Sequence, residues 1–171
     1  LLSRRQRQMC IRDRAREARI PIYADSVSRV KSRRLLPALG RLRALKPNAI
    51  EALELTGEKE PDRAARALIQ AGVERVFLSL GQEGMLAAQG EELIRLPVLP
   101  VRVLNTTGAG DAATAAMVAG DLLGLGLEET ARAAMRAGAL TTQCTEANNP
   151  AISAIFQGCL LYTSPSPRDT R

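Results

Sequence analysis

The chain has no histidine among its 171 residues. That excludes histidine general bases, histidine triads and histidine metal sites together. Tryptophan is also absent and aromatic residues make up 2% of the chain, so alanine and leucine must carry the burial. No run is long and apolar enough to span a bilayer, and no secretory leader is visible. Of the three cysteines, Cys10 and Cys159 fall in the terminal stretches set aside below. Cys144 alone supports neither a disulfide framework nor a cysteine metal cluster, and a reducing cytoplasm is the expected compartment.

The middle of the chain also lacks net charge. The whole carries +6, which raises the question of a nucleic-acid partner. Residues 1–14 hold five Arg and one Asp, and residues 158–171 hold two Arg and one Asp, so the ends carry five of the six charges. The intervening residues balance seventeen Lys and Arg against sixteen Asp and Glu. Neither end has a helical or strand period. Both resemble translated adapter read-through at the ends of gene fragments, and both are expected to be extraneous and poorly ordered, with 15–157 as the folded part. The alternative is a basic N-terminal arm that binds nucleic acid.

At this length one domain with a substantial core is expected. Residues 15–19 read as the end of a helix and Ile20–Asp25 as a buried strand. Ser26–Leu39 reads as a polar loop and a basic helix broken near Pro37. Leu42–Leu45 is a second strand, stopped by Lys46-Pro47. Asn48 caps a helix over Ala49–Leu55 that Gly57 closes. Pro61–Ala71 is a helix with proline in its first turn, and Val73–Leu80 is the strongest strand. Gly81-Gln82-Glu83-Gly84 is a turn, Met85–Ala88 a strand, and Gln89-Gly90-Glu91 a turn. Leu93–Leu104 is extended, split by Pro97 and Pro100 into two edge pieces. A helix follows at Ala112–Leu123, then a break at Gly124-Leu125-Gly126 and a last helix over Leu127–Thr142. Strands alternating with helices predict an α/β sandwich with a largely parallel sheet.

Three stretches carry chemistry, each expected at the carboxyl end of a strand, where open α/β sheets bind ligands. In Asn48-Ala49-Ile50-Glu51, the two side chains offer oxygen ligands for a hydrated Mg²⁺; equally, they describe a helix N-cap and its capping-box carboxylate. In Ser79-Leu80-Gly81-Gln82-Glu83-Gly84, Ser79 and Gly81 offer a hydroxyl and a close backbone approach for a nucleotide phosphate or ribose; the plainer reading is a strand leaving its sheet. In Thr106-Thr107-Gly108-Ala109-Gly110-Asp111, two glycines at a helix start turn backbone N–H groups toward an anion. Asp111 beside such a hole suits a base that takes a proton from an attacking hydroxyl; the plainer reading is a tight turn with Asp111 as helix cap. No GxxxxGK[ST] is present, so this is not a P-loop enzyme.

In this order the three stretches resemble the ribokinase-like, PfkB-type, sugar and nucleoside kinases. TTGAGDA is similar to that family's C-terminal signature, NxxE to its magnesium and phosphate motif, and SLGxxG to its nucleotide-strand motif. The resemblance covers about Ile20 to Ser153. It implies the C-terminal part of a Rossmann-like αβα sandwich without its lid, with ATP and Mg²⁺ as cofactors. It implies Asp111 as catalytic base, and Gly108, Ala109 and Gly110 as anion hole. Asn48 and Glu51 are implied near Mg²⁺, and Ser79, Gly81, Gly84 and Thr106 near the nucleotide. The stretch from Thr141 to Asn149 is implied in the adenine pocket. In many members a monovalent cation sits beside the anion hole; Asn105 stands where the family usually has Asp.

Asp25-Ser26-Val27-Ser28 with Lys31, the Leu45–Asn48 join, Asn105 and Asn149-Pro150 are similar to pseudouridine kinases. Asp25 and Lys31 also read as a solvated loop. The implied partner is a sugar or nucleoside, with no nucleic acid and no membrane, and the family leaves room for a homodimer. Ribokinase-like and fructokinase-like substrates remain open, as does a non-catalytic nucleotide- or nucleic-acid-binding module. The sugar contacts and lid come from the family's N-terminal part, which does not precede Ala15. The chain alone is therefore expected to bind nucleotide weakly and not to phosphorylate a substrate.

Overall fold

The computed structural model describes Arg14, Ala18 and residues 20–26, 28–145 and 149–156. The readings of 1–13 and 158–171 as extraneous lie outside these, as do most of the helix end at 15–19 and residues 146–148 of the implied adenine pocket. The chain divides into two compact units, the first ending at Pro97 and the second starting at Val98. No helix among the described residues is long and apolar enough to cross a membrane.

The first unit is a five-stranded sheet in the order β1-β2-β3-β4-β5, with helices between its early strands. The strands are β1 Tyr23–Asp25, β2 Ala44–Lys46, β3 Arg75–Ser79, β4 Met85–Gln89 and β5 Glu92–Leu96. The sheet is mixed rather than largely parallel. β1 and β2 pair in parallel, as do β2 and β3, while β3–β4 and β4–β5 are antiparallel. Connection length is the reason. The turns at Gly81–Glu83 and around Gly90 are too short for a crossover, so they fold back as hairpins.

Local departures from expectation also have backbone causes. The basic helix is a single turn, α1 Arg29–Ser32, that tightens into a 3₁₀ helix over Arg33–Arg41 and runs through Pro37. β2 starts two residues later than expected, ends one later and includes Lys46, whose ammonium is 3.0 Å from the Asp25 carboxylate on the register-paired strand. Helices α2 Ala49–Thr56 and α3 Pro61–Gln70 fall where predicted. Gly57 closes α2 at φ 78°. Leu68, Leu45, Val76, Leu78 and Leu86 are fully buried at the centre of one apolar cluster. Burying five such side chains contributes about 1.5–3 kcal/mol each before chain entropy is charged against it.

The second unit is two helices, α4 Ala109–Leu122 and α5 Leu127–Thr142, and a 3₁₀ segment Pro150–Phe156. The helices pack through small residues. A Cβ on Gly120 would stand 3.1 Å from Thr130, and one on Gly138 would stand 3.3 Å from the Ala109 carbonyl oxygen. The expected strand over Leu93–Leu104 ends at Leu96. Prolines at 97 and 100 lack the donors a ladder needs. Residues 97–108 form no strand, so the glycine turn at Gly108 does not follow one directly.

Candidate functional site

The carboxyl ends of β2 and β3 bring two of the three predicted stretches together within the first unit. The parallel pairing runs past the end of β2: the Ser79 N–H donates to the Pro47 carbonyl at 2.9 Å, and Asn48 and Ser79 form an isolated parallel bridge. Asn48 is the N-cap of α2 and Glu51 its third residue, so both halves of a capping box are made. The Glu51 N–H donates to Asn48 Oδ1 at 2.9 Å, and the Asn48 N–H donates to Glu51 Oε2 at 3.0 Å. The structural alternative for this pair is thus realised, and it does not exhaust the carboxylate. Glu51 is 5% exposed and its carboxylate accepts a second bond, from the Ser26 hydroxyl at 2.6 Å. Sequence reasoning missed Ser26 as a neighbour of this group.

Among the described residues no group of three or more His, Cys, Asp or Glu side chains could hold a metal ion. Asn48 and Glu51 offer only a few oxygens, so a cation held there would have to keep most of its water, as Mg²⁺ can. Among the described residues the bonds to Glu51 fall on Oε2 and none on Oε1.

The Ser79 hydroxyl donates to the Pro47 carbonyl at 3.2 Å, a long bond. Gly81 and Gly84 take φ of 61° and 92°, and the Gly84 carbonyl accepts from Leu80 N–H at 2.9 Å. Glycine is needed at both positions because an L side chain there is strained. On the outer side of α2, Glu54 accepts from Arg29 at 2.9 Å and from Arg33. The hydrogen bond from Arg29, then that from Arg33, holds its carboxyl below the usual range.

The third stretch is in the second unit. Gly108 is the N-cap of α4 at φ 81° and Asp111 lies in the first turn. Asp111 is exposed, and its carboxylate has no partner among the described residues; it makes no capping bond. The Ala109 N–H turns back to the Thr106 carbonyl at 3.3 Å, which weakens its claim on an anion. Among the described residues the N–H groups of Gly108, Gly110 and Asp111 have no acceptor. They are the orphan donors at the positive end of a fourteen-residue helix.

The approach to the turn is held by side chains. Asn105 accepts from the Thr107 N–H at 2.9 Å and donates to the Thr145 carbonyl at 3.0 Å, while the Leu104 N–H donates to the Thr142 carbonyl at 2.7 Å. The Asn105 side chain thus works as a turn brace. Asn149 donates to the Leu140 carbonyl at 2.7 Å, so its amide is engaged at the end of α5. Clefts of about 350 and 210 Å³ lie elsewhere, and none of the predicted site residues lines them.

Residues 7–154 match the profile of the pfkB family carbohydrate kinases. The chain belongs to the PfkB family. Its similarity to individual PfkB kinases spans several acceptors. It is 31% identical over 143 residues to the pseudouridine kinase of Escherichia coli K12, covering 80% of this chain and 45% of that protein. It is 35% identical over 115 residues to the cytidine kinase of Thermococcus kodakarensis, covering 66% and 41%. The crystal structure of E. coli phosphofructokinase-2 in complex with potassium superposes with a TM-score of 0.78 at 26% identity, over 93% of this chain and 53% of that one. The chain spans less than half the length of these two curated relatives. The α/β fold read from the sequence is the one found, and solved PfkB-type kinases share it.

Proposed function

We propose that this chain is the ATP-binding and base-bearing part of a kinase that phosphorylates a hydroxyl of a sugar or nucleoside. The observation that carries the reading is the start of α4. Three N–H groups and a carboxylate without partners among the described residues share one helical turn there. Unspent donors at a helix N-terminus stabilise charge that develops on a transferring phosphoryl group. The Asp111 carboxylate takes the proton from the attacking hydroxyl as its oxygen bonds to phosphorus. Gly108 and Gly110 supply the anion hole, with Ala109 the weaker donor. In this reading the nucleotide-contacting residues of the first unit are Ser79, Gly81 and Gly84, and those of the second unit are Thr106 and, for the adenine, Asn149. Asn48 and Glu51 hold Mg²⁺ through water. When bound, that ion neutralises charge on the ATP phosphates.

Pseudouridine is the acceptor favoured by the resemblance of Asp25–Ser28, Lys31 and Asn105 and by the similarity to a pseudouridine kinase. The similarity to a cytidine kinase keeps N-nucleosides next in line. In this reading a monovalent cation is an optional addition beside the anion hole. The protein works in the cytoplasm on a small molecule, without nucleic acid or membrane, and as a homodimer if it follows that arrangement of the family. The test is ADP release by the complete enzyme with pseudouridine, cytidine, ribose and fructose 6-phosphate in parallel. Turnover with pseudouridine well above the others supports the specific reading. Preference for a sugar phosphate overturns it and leaves the kinase reading, and no ATP-dependent transfer to any acceptor counts against both.

A further inference from the structure

The Glu51 carboxylate accepts two hydrogen bonds, and one of its partners comes from far away in sequence. The register pairs Asp25 with Lys46, so the chain leaving β1 runs alongside the chain leaving β2. Ser26, the first residue beyond β1, therefore reaches the capping box of α2. It is 2% exposed, and its carbonyl accepts from the Ser28 N–H at 2.6 Å, which fixes the backbone that presents the hydroxyl. Just before it, the Asp25–Lys46 ion pair anchors the strand end, with Lys46 6% exposed. The hydroxyl has one proton, and it is given to Glu51 Oε2.

A capping box alone needs one hydrogen bond to the glutamate, the one from Asn48 N–H. The second donor lands on the same oxygen. Two donors on Oε2 lock the carboxylate plane and leave Oε1 as the oxygen that no described residue engages. That is an arrangement for presenting one oxygen in a fixed direction. Outer partners that orient a ligand carboxylate tune metal affinity in this way.

We infer that Ser26 is a positioning residue for the divalent cation that accompanies ATP: its hydroxyl sets the Glu51 carboxylate so that Oε1 faces the hydrated ion. The inference rests on the kinase reading above and assigns Ser26 no contact with substrate.

The test uses the full 171-residue chain and follows its melting temperature against Mg·ATP and against ATP with EDTA, from which apparent affinities follow. Ser26→Ala is expected to weaken Mg·ATP by about tenfold and to leave metal-free ATP unchanged. Ser26→Cys, close in size but a weak donor, should lose part of that affinity and carries the comparison if the alanine variant does not fold. In a Glu51→Gln background, Ser26→Ala should cost nothing further in Mg·ATP affinity, because the group it orients is gone. Equal loss for both ligand forms, no loss at all, or additive losses in the double variant would each overturn the positioning role while leaving the kinase reading in place. A wild-type chain whose nucleotide affinity is indifferent to metal would remove the magnesium reading of Asn48 and Glu51 as well.

Discussion

Asn48, two residues past the end of β2, bridges in parallel to Ser79, the last residue of β3, so residues 31 positions apart stand side by side at the carboxyl edge of the sheet. The bridge joins the capped start of α2 to the turn that carries Gly81 and Gly84. Both stretches were marked from the sequence for their chemistry, and the sheet register places them together.

The cap gives the first prediction. Replacing Asn48 with Ala removes the acceptor for the Glu51 N–H and should cost about 1 kcal/mol of stability. Asn48→Asp keeps a capping oxygen and should stay within about 0.5 kcal/mol of wild type, since the two residues cap about equally well. Urea unfolding of both variants checks this. Equal loss in both would show that the amide, not the capping oxygen, matters.

A second prediction concerns a close passage in the first unit. Gly72 has φ 97°, and a Cβ added there would stand 2.7 Å from the Gly40 Cα. The atoms it would meet are all Gly40 backbone, so none can swing aside. Gly72→Ala should cost about 2 kcal/mol or more, the sum of left-handed strain and overpacking. The urea midpoint reads it, and a shift no larger than that of a surface substitution would contradict the passage.

A third concerns acid. Hydrogen bonds from Arg29 and Arg33 lower the Glu54 carboxyl in the folded state. In the unfolded chain it titrates near its ordinary value of about 4.3. The stabilisation is therefore fully present above that pH and is lost as the pH falls through the lowered folded value. The stability difference between wild type and Glu54→Gln should be constant near neutrality and shrink below about pH 4.3. Because Arg29 and Arg33 are 71% and 69% exposed, it should also shrink with added salt. A difference that grows on acidification would reverse the sign.

Local chemistry is what the sequence made readable. Gly57 and Gly72 punctuate their helices as glycine must, and α5 runs over the predicted Leu127–Thr142. The antiparallel half of the sheet was also legible in principle, because turns as short as Gly81–Glu83 cannot return a chain in parallel. Leu93–Leu104 was read as two edge pieces split at Pro97 and Pro100, and only the first is a strand, because the prolines deny the rest the donors a ladder needs. The Ser26 contact to Glu51 was out of reach. It spans 25 residues and exists only because β1 pairs with β2 in one register. Asp111 was legible as the base candidate, and its lack of a capping bond could be read only from coordinates.

The measurement that bears most directly on the central claim is steady-state phosphoryl transfer by the complete enzyme beside its Asp111→Asn variant. If the unpartnered carboxylate in the first turn of α4 accepts the proton of the attacking hydroxyl, kcat should fall by at least ~10²-fold, with ATP affinity little changed. The helix start would remain intact, because Asp111 makes no capping bond. Turnover within a few-fold of wild type would contradict the account and reduce Asp111 to a favourable charge at a helix N-terminus.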